Sequence, residues 1–306
     1  MIYTVTFNPA LDYNVGIGTL EAGGLHRTRF EKTILGGKGI NVSVVLKNLG
    51  VDSVMTGFLA GYTGRELERR AAEAGCGTHF IWLSEGASRI NVKIKSEGPD
   101  GERIETEING RGPDIPEEKV EELFAYLDTL SEGDTLILSG SIPASLPADA
   151  YERILKRLAG RGICFVVDAT QKLLVNVLKY QPFLIKPNNH ELAEIFGVEI
   201  RDKDDVAFYA RKLQEMGARN VLVSMGGDGA VLAAEDGSEY RADAPKGKLI
   251  NSVGAGDSMV AGFLAGYTRS GSYETAFRMG VAAGSASAFS EELATEAEVM
   301  EIFSKL

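Results

Sequence analysis

The chain has 306 residues and a formal net charge of −11, with 44% hydrophobic and 25% charged residues. Such a chain buries a large core without cross-links and suits one large α/β domain, or a domain with a small appendage. The charge excludes a general binder of nucleic acid or acidic membrane, because either would repel it, but leaves room for an anionic small molecule in a local basic pocket.

The start, "MIYTVTFNPALD", lacks a basic leader and a long apolar segment, and no run approaches the ~18 apolar residues of a membrane span. A cytoplasmic protein is expected, with Cys76 and Cys164 as reduced thiols in or beside apolar stretches. Residues 2–7 read as a strand, and 12–35 as further strands with no helix between them. A helical pattern at 40–49 leads to a strand at 53–60 and a helix at 64–75. Residues 88–109 then alternate. In "SRINVKIK", Arg89, Asn91, Lys93 and Lys95 fall on one face, with Ile90, Val92 and Ile94 on the other. "RIETEIN" at 103–109 does the same, and a hairpin turn is expected over 98–101. Next come helix 116–130, strand 134–141, helix 148–160, strands 164–169 and 183–188, helices 190–196 and 203–216, and strand 220–226. Helices at 256–269, 273–289 and 295–305 close the chain.

Apart from the alternating regions, the strand runs are nearly all apolar, which is how strands covered on both faces read. Their alternation with helices predicts a mainly parallel sheet between helical layers. The regions at about 12–35 and 88–109 predict a small separate sheet inserted into a single domain spanning 1–306. Its apolar face needs a cover, from the main body, a second copy of the protein, or its own core as an ordinary hairpin. A lid that dimerises is the preferred reading.

Four stretches carry chemistry. In "NSVGAGDSMVAGF" (251–263), Gly254 and Gly256 free the backbone just before a helical pattern begins. A glycine turn feeding a helix start is an anion site, with Asp257 beside it. The plain alternative makes Asp257 a helix cap worth ~1 kcal/mol. "GGKGINVS" (36–43) is not a Walker motif, because Lys38 is followed by Gly39. Its glycines still admit a ligand close to the backbone, and Lys38 offers a point charge to phosphate. "KPNNHE" (186–191) ends a buried strand and opens a helix at the carboxyl edge of the sheet, where a carboxylate suits Mg²⁺ held through water, the plain alternative being an Asx turn plus a first-turn acid. "VSMGGDGA" (223–230) is a strand ending in a glycine turn. No G-x-G-x-x-G fingerprint follows a strand, which argues against a dinucleotide oxidoreductase.

Taken in order, "GGKGIN", "KPNNHE", "SMGGDGA" and "NSVGAGDSMVAGF" resemble the ribokinase-like (PfkB) carbohydrate kinases along essentially the whole chain. The resemblance implies a three-layer α/β/α core with a small β-sheet lid that commonly forms a homodimer interface. "TFNPALD", Lys38, "SRINVKI" and "LSGSIP" are most similar to the branch that phosphorylates fructose 1-phosphate at C6 with ATP. The branches acting on tagatose 6-phosphate or fructose 6-phosphate stay open as alternatives. By resemblance, Asp257 is the base, and the N–H groups of Gly254, Ala255 and Gly256 form the anion hole. Asp12, Gly37, Lys38, Gly39, Asn41, Arg89, Asn91 and Ser139 hold the sugar phosphate. Lys186, Asn188, Ser224, Gly226, Gly227 and Gly229 hold ATP, and Asn188 with Glu191 helps place Mg²⁺. Some relatives also bind a monovalent cation such as K⁺ near the anion hole. The run Met225–Gly226–Gly227–Asp228 departs from many relatives. A sugar-phosphate sensor on the same fold would have no use for Asp257, and a nucleoside kinase would not need Lys38 and Arg89 on a second phosphate.

Overall fold

A parallel strand buried on both faces needs apolar side chains at every position, and the elements follow that demand. The computed structural model describes residues 1–98 and 100–306, without the side chain of Gln171. Strand β1 (Ile2–Thr6) starts the main sheet. The chain leaves it for β2 (Ala10–Gly16) and β3 (Phe30–Gly36), and returns through helix α1 (Lys38–Asn48) to β4 (Ser53–Ala60), α2 (Gly61–Glu73) and β5 (Gly77–Leu83). A second excursion makes β6 (Arg89–Glu97) and β7 (Arg103–Asn109). Then follow α3 (Glu117–Leu127), β8 (Thr135–Ser139), α4 (Ala150–Leu158), β9 (Cys164–Asp168), α5 (Gln171–Val177), β10 (Leu184–Ile185), α6 (Asn189–Phe196) and α7 (Lys203–Glu215). Strands β11 (Asn220–Ser224), β12 (Ala230–Ala233) and β13 (Glu239–Ala242) precede helices α8 (Ala255–Ser270), α9 (Tyr273–Ala288) and α10 (Glu296–Phe303). No helix among the described residues is long and apolar enough to cross a membrane.

The main sheet runs β13-β12-β11-β10-β9-β8-β1-β4-β5 and is parallel from β11 to β5, with β12 and β13 as an antiparallel hairpin at one edge. Its side chains alternate between two cores. Leu136, Leu138, Phe165 and Val167 meet buried residues of α3 to α7, while Ile137 and Val166 meet α1, α8, α9 and α10. A smaller cluster seats α2 on Met55 and Leu59.

Several elements depart from the sequence expectation. Strand β10 keeps two residues of the six expected over 183–188, because Pro187 has no N–H to give the ladder. Helix α5 was not anticipated, since "LLVNV" is apolar and β-branched enough to lack a helical face. Strands β5, β12 and β13 were also missed. They lie towards the sheet edges; β5 and β13 are only partly buried, while β12 is a fully buried but short apolar run of four residues.

The second sheet runs β3-β2-β6-β7, with β2 and β6 parallel at its centre. The polar face of β6 turns inward, and Asn91 and Lys93 are buried. Lys95, expected beside them, is exposed. The main body does not cover the apolar face: Ile90, Ile104 and Ile108 stand exposed. The turn expected over 98–101 includes Pro99, which lies outside the described residues. Around it, Gly101 N–H donates to the Gly98 carbonyl at 3.0 Å.

Helix α8 is buried along most of its length against α9, and small residues allow that approach. A Cβ on Gly262 would stand 2.5 Å from the Met279 carbonyl oxygen and 2.6 Å from Ala283 Cβ. Neither obstacle is a flexible side-chain end, so a larger residue must push the helices apart. Gly262→Val is expected to lower stability by about 3 kcal/mol, towards the upper end of overpacking costs. Urea unfolding checks this, and an unchanged midpoint would mean that the helices do not pack so closely.

Candidate active site

Parallel strands deliver their carboxyl ends to one edge, and several of them end in polar residues there. Thr6 closes β1, Ser139 closes β8, Asp168 closes β9, and Lys186 follows β10. The register sets Ser139 opposite Asp168. The hydroxyls of Thr6 and Ser139 are buried without a hydrogen-bond partner, so this edge holds polar groups that the protein alone does not satisfy.

The glycine turn before α8 reaches the same edge. Gly254 caps the helix with φ +80°, a conformation that favours glycine. The N–H groups of Gly254 and Gly256 have no acceptor among the described residues, as the first turn of a helix leaves them. Ala255 differs from expectation, since its N–H makes a long 3.3 Å contact with the Ser252 carbonyl. Asp257 follows in the first helical turn, 5% exposed, and no cap hydrogen bond engages its side chain. Its Oδ2 accepts a hydrogen bond from Asn41 Nδ2 at 2.8 Å.

Asn41 lies in α1, whose start carries the first glycine motif. Gly37 is the N-cap with φ +125°, and Gly39 presses against β1, where a Cβ would stand 2.6 Å from Thr6 Oγ1. Lys38, the first residue of α1, points its ammonium at Asp168 Oδ2, 3.5 Å away. Lys186 approaches Asp168 Oδ1 from the other side, also at 3.5 Å. Its Nζ lies 3.0 Å from where a Cβ on Gly256 would stand, so it touches the glycine turn.

These charges tune one another. Burial, reinforced by Asp168, pushes the Asp257 carboxyl up to about 6, with Lys38, Asn41 and Lys186 pulling the other way. Burial alone would lower Lys38, but Asp168, Asp257 and Glu191 outweigh it and hold the ammonium above the usual lysine range.

The lid supplies a second polar group. Asp12 on β2 pairs in register with Asn91 on β6, and Asn91 Nδ2 donates to its Oδ1 at 2.8 Å. Gly36 leaves room for Asp12, since a Cβ there would fall 2.4 Å from Oδ1. Lys93 sits between Asp12 Oδ2 at 3.6 Å and Glu107 Oε1 at 3.5 Å. Arg89 Nε donates to the Asn8 carbonyl at 3.0 Å. Burial draws its guanidinium below the usual range, and Asp12 opposes the shift. The two cations expected to share one phosphate thus keep different company: Arg89 belongs to the lid, Lys38 to the floor.

At the far end, Asn188 and Ser224 form an isolated bridge between the ends of β10 and β11. Asn188 and Glu191 make a capping box: Asn188 Oδ1 accepts the Glu191 N–H at 2.8 Å, and Glu191 Oε2 accepts the Asn188 N–H at 2.9 Å. The first-turn acid of the plain alternative is thus present, as half of a capping box. The Glu191 carboxylate also lies near enough to Lys38 to influence it. No group of three or more His, Cys, Asp or Glu gathers among the described residues to hold a metal directly. Placement of Mg²⁺ through water is what this donor set fits. Gly226 and Gly227 lie in a 3₁₀ turn (Gly226–Asp228) with open space before them, and Gly229 returns the chain to β12.

Residues 11–299 match the model of the pfkB family carbohydrate kinases. The chain belongs to that family. The kinase is 46% identical over 302 residues to the 1-phosphofructokinase of Bacillus subtilis, covering 99% of this chain and 97% of the relative. It is 36% identical to the D-tagatose-1-phosphate kinase of Bacillus licheniformis, covering 96% of this chain and 94% of that one. The crystal structure of Escherichia coli phosphofructokinase-2 in complex with substrates and products superposes with a TM-score of 0.93 at 27% identity, over 100% of this chain and 99% of that chain. The kinase has the ribokinase-like fold implied by its glycine motifs.

Sequence reasoning named both lysines but missed Asp168, the carboxylate between them. "CFVVDA" reads as a buried strand, and its one signal was an aspartate in the last apolar position before the strand ends. Because the pKa of Asp257 is raised, kinase activity that needs its carboxylate should fall about tenfold for each pH unit below about 6, rather than below the ~3.9 of an ordinary aspartate. The pH dependence of kcat/KM checks this, and an acid limb near 4 would mean that Asp257 is not the titrating group.

Proposed function

We propose that this kinase transfers the γ-phosphoryl group of ATP to the C6 hydroxyl of fructose 1-phosphate, giving fructose 1,6-bisphosphate and ADP. The observation that carries the reading is the buried Asp257 beside the open N–H groups of Gly254 and Gly256, with Lys38 and Lys186 alongside. Asp257 takes the hydroxyl proton as O6 attacks phosphorus, and the bond to the bridging oxygen of ADP breaks with its electron pair going to ADP. The glycine N–H groups and the two ammoniums bear on the charge of the transferring group. Asn41 holds Asp257 in place.

Asp12, Asn91 and Ser139 face the sugar hydroxyls, with Gly37 and Gly39 bringing the backbone close. Arg89 takes the substrate's own phosphate through its paired N–H groups. Lys38 stands with Asp257 and Asp168, which favours a role at the transferring phosphoryl over one at the remote phosphate. Asn188, Ser224, Gly226, Gly227 and Gly229 cradle the nucleotide. Mg²⁺, placed through water by Asn188 and Glu191, supplies neutralisation of phosphate charge. A K⁺ ion near the glycine turn is part of the same reading. The exposed face with Ile90, Ile104 and Ile108 supports pairing of two copies through their lids, and the free thiols of Cys76 and Cys164 suit a cytoplasmic setting.

A second reading, tagatose 1-phosphate, is favoured by the relative of that name. The two sugars differ in the configuration of one hydroxyl. ADP formation with fructose 1-phosphate, tagatose 1-phosphate, the two 6-phosphates and free fructose separates them, with the highest kcat/KM expected for fructose 1-phosphate. Preference for a 6-phosphate would overturn the substrate assignment. Asp257→Asn should lower kcat by about 10²–10⁴, while Arg89→Ala should chiefly raise KM for the sugar phosphate. Ile108→Glu should convert a dimer to monomers in sedimentation velocity, and a wild type that is already monomeric would refute the lid pairing.

A further inference from the structure

Asp168 has no role in the reaction as written above, yet it is the most buried charge at the floor of the site, 2% exposed. Each of its carboxylate oxygens faces a different ammonium at the same distance, Lys38 on Oδ2 and Lys186 on Oδ1, both at 3.5 Å. The two lysines come from different elements, one from the start of α1 and one from the end of β10. Lys186 lies against Gly256 in the glycine turn, and Lys38 lies within the influence of Asp257. The backbone of Asp168 is itself tied down. Its carbonyl accepts the Gly140 N–H at 3.0 Å, and the Gly140 carbonyl accepts the hydroxyl of buried Tyr151 at 3.0 Å.

The length of the contacts matters. A tight charge-assisted hydrogen bond spans about 2.7–2.9 Å. At 3.5 Å the carboxylate aims each ammonium without tying up its three N–H donors. Those donors stay available to phosphate oxygens. The two side chains also differ in need. That of Lys38 is 42% exposed, whereas that of Lys186 is 7% exposed, with Asp168 its one carboxylate partner within 4 Å among the described residues. A buried ammonium is costly without a counter-charge, so Asp168 is what fixes where Lys186 points.

We propose that Asp168 is a positioning residue, which holds Lys38 and Lys186 on either side of the transferring phosphoryl group and acts on the reaction through them. The inference rests on the phosphoryl-transfer reading above. It explains why a residue that presents no donor to a phosphate is buried where phosphates must meet.

The test compares Asp168→Asn and Asp168→Glu, alone and combined with Lys186→Met, in the full chain, on whichever sugar phosphate the wild type uses best. Asp168→Asn should lower kcat about 100-fold, the scale of a small misplacement of a catalytic group. It should also move the acid limb of kcat/KM to lower pH, because a negative charge beside Asp257 has gone. Adding it to Lys186→Met should cost only a few-fold more, since the path through that lysine is already broken. Asp168→Glu keeps the charge but shifts it, so it should lower kcat and leave the acid limb in place. If the Asn variant fails to fold, the Glu variant decides alone, and wild-type turnover in it overturns the proposal. So does a loss in the double variant equal to the product of the single losses, or an acid limb that stays put in Asp168→Asn. A defect that excess Mg²⁺ restores would assign Asp168 to the metal and overturn it equally. A wild type with no activity on any sugar phosphate would refute the reaction itself, a result distinct from all of these.

Discussion

A carboxylate must be charged before it can accept a proton, and Asp257 is buried where charge is expensive. Much of the site can be understood as the answer to that conflict. Burial and Asp168 push towards the protonated form, while Lys38, Lys186 and the Asn41 amide pull back. The balance leaves a carboxyl whose affinity for protons is raised above that of an ordinary carboxylate, which would suit the proposed role as a base. Covering the site more deeply without adding positive charge would protonate the base. Removing the cover would weaken every electrostatic contact that the transferring group needs.

The charge count is local. On the floor, two lysines stand against Asp168 and Asp257. On the lid, Lys93 and Arg89 stand against Asp12 and Glu107. Each group is close to neutral before any ligand arrives, in a chain whose net charge is −11. Anionic substrates therefore meet cations whose partners hold them loosely, and a phosphate oxygen can take over a contact that a carboxylate keeps long. The overall charge says little about the ligand, because screening confines such effects to about 10 Å.

The glycine turns, the central strands and the two-sided burial of the sheet were legible in the sequence because each depends on local pattern. Gly254 before Asp257 and Gly37 before Lys38 mark chain reversals that few other residues permit. Asp168 was not legible, since its meaning comes from two lysines 130 residues before it and 18 after it, in elements joined only by the sheet. The inward turn of the lid's polar face was legible only through the family resemblance, which put Arg89 and Asn91 on the substrate. Alternation in "SRINVKIK" defines two faces, but which one meets the body depends on how β2 and β6 pair. Glu191 shows the reverse case, where a residue expected at a metal proves also to be half of a helix cap.

The lid joins the body through short links: Gly37 alone separates β3 from α1, and three residues separate β1 from β2. Strand β1 ends at Thr6 and β2 begins at Ala10, with Phe7, Pro9 and Ala10 buried. Asp12 lies two residues beyond that anchor, whereas Ile108 and Ile104 lie across the sheet on its outer strand. A sheet pivoting on such a short link would behave as a lever with its fulcrum close to Asp12. The carboxylate that would grip the sugar barely travels, and the outer edge sweeps the larger arc. Small shifts where two lids meet would then be scaled down, not amplified, by the time they reach the substrate.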